Sequence, residues 1–160
     1  MAQIGKNPSE SAVEMTELVL PNDTNLVGNL LGGRLMHWMD VAGGMAASRH
    51  ANRIVVTAAV DHLIFHHPIK LGELVNLKAK VTWTGRTSME IVVRVYAEDP
   101  LSNQIKLTNE AFFTFVALDD KGKPVEVTPV EPETNEEKAY FSAAAERRIR
   151  RLALKKGVQS

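Results

Sequence analysis

Residues 29–44 read Asn29-Leu30-Leu31-Gly32-Gly33-Arg34-Leu35-Met36-His37-Trp38-Met39-Asp40-Val41-Ala42-Gly43-Gly44. From the glycine pair onward, Leu35, Met39, Ala42, Ala46 and Arg49 recur at three- and four-residue spacing, which predicts a helix from about Gly33 to Arg49. Met36, Val41 and Met45 widen its apolar surface, so most of the helix is expected to be buried. Asp40 stands among these residues as a carboxylate. Burying it unpaired costs several kcal/mol, so it is expected to find a partner or to carry function. Gly43 and Gly44 each cost about 1 kcal/mol relative to Ala inside a helix. They make sense where another backbone packs closely, or as a kink.

Upstream, residues 21–29 (PNDTNLVGN) are rich in turn formers, and residues 11–20 alternate as a first strand stopped by Pro21. Downstream the period changes to two. Residues 54–65, 73–84, 86–98 and 105–118 each alternate, with Val75, Leu77, Ala79, Val81 and Trp83 opposed to Asn76, Lys78, Lys80 and Thr82. Such strands predict an antiparallel sheet of about five strands with one wet face, linked at Leu101–Gln104 and Asp119–Lys123 by turn residues. Residues 125–134 read as an extended arm interrupted by proline. Residues 134–156 predict an appended C-terminal helix with Thr134 as N-cap, acids in its first turn and bases at its end. The fold class is α+β, in a single domain over residues 1–160. One helix about 10 Å across cannot cover a curled sheet unless the sheet wraps it, so association of two copies near Gly43 and Gly44 is expected to hide the remainder.

Composition narrows the function. The 19 basic and 19 acidic residues cancel, which points to neither nucleic acid nor a membrane surface as partner. The absence of cysteine excludes disulfides, thiolate nucleophiles and Cys-ligated metals. The first residues lack the apolar run of a signal peptide, so a cytoplasmic location is expected. His62, His66 and His67 are read as strand residues, the last two pointing to opposite faces, and no metal is predicted. His37 and His50 carry weaker signals still.

The residues that carry a family resemblance are Asn29–Gly33, Met39–Gly43, Val56–Asp61, Phe65–Gly72 and Thr84–Glu90. With them the chain resembles the hot-dog acyl-CoA thioesterases, and most of all the cytosolic acyl-CoA hydrolases, over about residues 12–140. The resemblance implies an antiparallel sheet wrapped around a central helix, hydrolysis of fatty acyl-CoA to fatty acid and CoA, and no cofactor beyond the CoA of the substrate. It also implies a homodimer at minimum, assembled as a trimer of dimers. Asn29 and Asp40 map onto the family's catalytic pair. Some members carry a His before the glycine pair where this chain has Leu31, so a role for that imidazole is absent.

Asp40 lies seven residues beyond Gly33, roughly 10 Å along the helix, while Asn29 precedes it, so the two are expected to meet only across a dimer. The N–H of Gly33, at the positive end of the helix, suits an oxyanion. Asp40 suits either a general base on water or a direct nucleophile. Arg86, Thr87 and Ser88 are implied to meet the CoA pantetheine and phosphates, Arg86 as a charge-assisted fork. The bases Arg147, Arg148, Arg150 and Arg151 read either as a solvated helix face or as contacts to the CoA 3′-phosphate. Leu31, Met36, Trp38 and Phe65 are expected to set acyl-pocket depth. A hot-dog hydratase or dehydratase, which wants a His paired with the acid, and a non-catalytic acyl-CoA-binding protein remain as alternatives.

Overall fold

The computed structural model describes residues 4–159; Met1, where the N-terminal reading begins, and Ser160 lie outside them. Strands β1 (Val13–Leu18), β2 (Ile54–Asp61), β3 (Leu74–Thr84), β4 (Ser88–Asp99) and β5 (Gln104–Leu118) form one antiparallel sheet in the order β1-β3-β4-β5-β2. Helix α1 (Gly32–Ala51) packs on its inner face, and α2 (Asn135–Gln159) follows the last strand. This is the expected sheet around a central helix, with the second helix appended.

Alternation puts Val75, Leu77, Ala79 and Val81 of β3, Met89, Ile91, Val93 and Val95 of β4, and Phe113, Phe115 and Ala117 of β5 into one core with Leu35, Met39, Ala42 and Ala46 of α1. The reason for Gly43 is local: a Cβ there would lie 3.1 Å from the Phe115 ring and 3.4 Å from Val93. The chain's own sheet thus supplies a close neighbour that Gly43 admits.

Only one face of α1 is buried. Met36, Val41 and Met45, expected inside, remain 39–41% exposed, and Arg49 is exposed with its guanidinium donating to Ala12 O. The wet face of the sheet is likewise partly dry. Thr82 and Glu90 point away from α1 yet are buried, because α2 crosses that side. Strand β2 stops at Asp61, four residues before the expected end, where His62 takes the left-handed conformation (φ 59°) and turns the chain out of the sheet. His62, His66 and His67 are consequently loop residues, not strand residues.

The ends of the helices are closed by specific donors and acceptors. Lys6 Nζ donates to the carbonyls of Arg49 and His50 and to Asn52 Oδ1, meeting the negative end of α1 with a cation. Thr134 Oγ1 accepts from Glu137 N while Glu137 Oε1 accepts from Thr134 N, a reciprocal cap that bears out Thr134 as the start of α2. The arm over residues 125–134 is extended, held by Val125 N to Ala117 O, Val127 N to Arg86 O and a bridge from Val130 to Lys6.

Candidate functional site

Asp40 is half-buried on α1 and accepts a hydrogen bond from Thr57 Oγ1 at 2.6 Å. Alternation from Val55, opposite Ala117, brings Thr57, opposite Phe115, to the α1 side. The β2–β5 register then shifts between Thr57 and Ala59, so Val60, opposite Phe113, faces α1 as well. The Thr57 hydroxyl fixes one carboxylate oxygen and leaves the other as an acceptor.

The start of α1 forms a second centre. Its cap, Leu31, has no side-chain cap bond, so the first N–H groups of the helix stay available for a ligand. Nothing lies within 4 Å of a Cβ placed on Gly33, whereas one on Gly32 would meet Phe65 Cζ at 3.3 Å. In front of this end is a cavity of about 360 Å³ lined by residues including Asn25, Asn29, Gly32, Phe65 and Ile69. Of the expected depth-setting residues, only Phe65 lines it; Trp38 is a core residue, and Leu31 and Met36 face outward.

Asn29 reaches the cavity by its place in a tight turn. Asn25 N donates to Asn29 O, and Asn25 Oδ1 accepts from the N–H groups of Val27 and Asn29. Those bonds occupy the Asn25 oxygen and leave its Nδ2 as donor beside the cavity. The sequence reading passed over Asn25, as it did Thr57. For Asn25 the available signal was its four-residue offset from Asn29 within one turn-forming run.

The expected site residues fall into two groups. Asn29 and Gly33 lie together at the start of α1, and Asp40 lies about 10 Å further along it. Arg86, Thr87 and Ser88 turn between β3 and β4, beyond the far end of the sheet from the segment that pairs with Asn29. Met89, Phe115 and Thr57 share one row across three strands, so this turn sits about 10 Å from Thr57 and on the Asp40 side. Its backbone is engaged, Thr87 O by Ala117 N and Ser88 O by Gly85 N, while the Arg86 side chain is exposed. Within one chain the two groups do not meet.

The basic run on α2 is mostly committed elsewhere. Arg147 forks onto Glu90 at 2.6 and 3.0 Å and lies 3.7 Å above the Phe112 ring. Arg151 binds Asp61 at 2.7 Å, and Arg148 lies over Trp83. Arg148 and Arg150 stay exposed, as expected of the run. No cluster of three metal-ligating side chains occurs among the described residues, nor does any helix long and apolar enough to cross a membrane.

A model of the thioesterase superfamily matches residues 27–103. The chain is 41% identical over 151 residues to an uncharacterized acyl-CoA thioester hydrolase of Bacillus subtilis, across 94% of this chain and 88% of that protein. The cytosolic acyl coenzyme A thioester hydrolase of Rattus norvegicus is 37% identical over 93% of the chain, which spans 40% of that longer protein. An apo hexameric acyl-CoA thioesterase superposes with a TM-score of 0.91 at 40% identity, covering 95% of this chain and 98% of that one. The acyl-CoA hydrolase of Staphylococcus aureus, solved with butyryl coenzyme A, coenzyme A and coenzyme A disulfide, does so at 0.88 and 37%, covering 98% of each. That enzyme has also been solved with alanine replacing an aspartate, an asparagine 15 residues before it and a threonine 17 residues after it.

Proposed function

Because the chain belongs to the acyl-CoA thioester hydrolases of the thioesterase superfamily, we propose that it hydrolyses acyl-CoA to a carboxylic acid and CoA with Asp40 as the catalytic carboxylate. The observation that carries this assignment is the Thr57-to-Asp40 hydrogen bond. It sets an acid with one free oxygen on a helix face that only a second molecule can close. Asp40 and Thr57 are separated by the same 17 residues as the aspartate and threonine replaced in the Staphylococcus aureus enzyme.

The 15-residue separation of the asparagine and aspartate replaced in that enzyme, counted back from Asp40, reaches Asn25, four residues before Asn29. We assign the turn that holds both asparagines to substrate and water, with the Nδ2 of Asn25 as donor and Asn29 on the cavity wall. The thioester oxygen rests on the N–H of Gly33. Asp40 takes a proton from water as it adds to the carbonyl, and the tetrahedral intermediate then expels the CoA thiolate. Direct attack by Asp40 would instead expel the CoA thiolate and leave a mixed anhydride. Water adding to its Asp40 carbonyl would put ¹⁸O from labelled water into Asp40 itself in a single turnover, whereas the general-base route puts it in the product acid alone.

The working unit in this reading is a homodimer, with Met36, Val41 and Met45 of each α1 and the exposed edge of β2 covered by the partner. Antiparallel helices would bring Asp40 and the Arg86–Ser88 turn of one chain to the Asn25–Gly33 end of the other. Arg86, Thr87 and Ser88 then contact CoA. Three such dimers as a hexamer, and a cytoplasmic location, complete the proposal. The reaction draws only on water, so chelator treatment is expected to leave the rate unchanged.

Thiol release from acetyl- to palmitoyl-CoA tests the assignment. The unaltered chain is expected to turn over one or more of these substrates, and Asp40→Ala to lose at least about a hundredfold. Turnover within a few-fold of normal in Asp40→Ala would remove the acid from its role. Asn25→Ala is expected to lose more turnover than Asn29→Ala.

A further inference from the structure

A short series of contacts joins α2 to the roof of the cavity. We propose that Arg151 is a positioning residue for the segment 62–69 and that, through this segment, it sets how tightly the acyl substrate is held. The proposal rests on reading the cavity at the start of α1, lined by Gly32, as the substrate site.

Arg151 Nη1 donates to Asp61 Oδ2 at 2.7 Å, and both side chains are largely shielded, at 18% and 21% exposure. Asp61 is the last residue of β2. His62 then takes φ 59°, a region that side chains with a Cβ rarely adopt, so surrounding contacts must hold the turn. Two residues later, Ile64 O is held by Asn109 Nδ2 from β5. Phe65 follows at once and lies on Gly32.

The segment is a wall between two spaces. His62 and His66 line the groove beneath α2, whereas Phe65, His67, Pro68 and Ile69 line the cavity at the start of α1. Phe65 is thus suspended from two anchors, Asp61 and Ile64, and α2 supplies the first. Among the described residues Asp61 has no ion-pair partner besides Arg151. Removing that cation frees a carboxylate next to a turn held against its backbone preference. The turn relaxes and Phe65 loses its fixed place over Gly32. Asp40 lies further along α1 with its own support from Thr57, so holding of substrate is affected more than the chemical step.

Steady-state kinetics on butyryl- and palmitoyl-CoA, with amide hydrogen exchange on the full-length chain, test this proposal. Arg151→Ala and Asp61→Asn are each expected to raise KM about fivefold or more with kcat within about twofold, because small misplacement of a binding group is costly. Arg151→Lys is expected to recover most of the loss, because it keeps the charge. In Arg151→Ala, exchange should accelerate over residues 62–67 and stay unchanged in the buried half of α1. Exchange that is unaltered over 62–67, or that accelerates through the whole chain, would overturn the positioning role. So would a fall in kcat at constant KM. If the unaltered chain releases no thiol from any acyl-CoA, the substrate reading fails, while the exchange data still decide whether Arg151 holds the segment.

Discussion

The two faces of the sheet are held by different physics. On the inner face, α1 meets Phe113, Phe115, Met89 and Val93 through apolar contact, with Gly43 bringing the helix against the Phe115 ring. On the outer face, α2 is fastened by charge: Arg147 to Glu90, Lys80 to Glu137 at 2.9 Å and Arg151 to Asp61. Apolar contact is tolerant of direction but not of volume. A buried ion pair is the reverse, because a partner left alone keeps the full cost of its burial. Asp40, the proposed catalytic carboxylate, sits on the helix held by packing, and the segment 62–69, the proposed roof, is tied to the helix fastened by ion pairs.

Truncating the inner face should cost most. Phe115→Ala is expected to destabilise by about 3–5 kcal/mol, since it removes a ring packed against α1 and leaves a cavity behind. Chemical denaturation measures this directly, and a loss below about 1 kcal/mol would deny the inner face its dominance. On the outer face, Arg147→Ala strands Glu90, which is 1% exposed, and is expected to cost about 3 kcal/mol. Replacing both partners together, Glu90→Leu with Arg147→Met, should recover most of that loss. An equal loss in the double variant would mean that α2 is held by packing after all.

Acid should separate the two regions by pH. His50, at the end of α1, is buried with Nδ1 near Ser11 Oγ and Nε2 2.8 Å from Thr128 O. Burial, assisted by Lys6, lowers its pKa against the opposing pull of the Thr128 carbonyl. A base whose pKa falls on folding contributes stability that is present above its ordinary value of 6.5 and is lost as pH drops through the folded value. Burial pushes the Glu137 carboxyl up, but N–H donors of Glu133 and Thr134, the Lys80 ammonium and the Asn7 amide outweigh it and hold the pKa at about 2. Its contribution is complete above its ordinary value of 4.5 and disappears between there and about 2. Melting temperatures across pH should therefore show His50→Gln flattening the profile below 6.5 and Glu137→Gln flattening it below 4.5. A single shared step for both variants would contradict the separation.

Much of this contrast was legible in the chain, and the illegible part has a common cause. The period-two runs fixed the strands because alternate residues meet different media, and Val75 to Val81 fell on the predicted side. Asp40 stood out because a carboxylate in an apolar helix costs free energy. Thr57, 17 residues on, did not stand out, since its contact joins two different elements and no local pattern announces which strand hydroxyl meets the helix acid. Arg147 and Glu90 lie 57 positions apart, and nothing in a run of arginines says which of them will find a buried acid. The end of β2 was misplaced because Leu63 and Phe65 continue an apolar alternation that the left-handed turn at His62 cuts off.

Subunit complementation tests the central claim most directly. Chains carrying Asp40→Ala and chains carrying Asn25→Ala with Asn29→Ala, each inactive alone, are mixed and allowed to exchange subunits. If Asp40 of one protomer serves the helix start of its partner, each mixed dimer regains one intact site and thiol release returns toward a quarter of the normal rate (on the order of half the dimers being mixed, each with one working site in two). Verified exchange with no recovered activity would contradict a site shared between two chains.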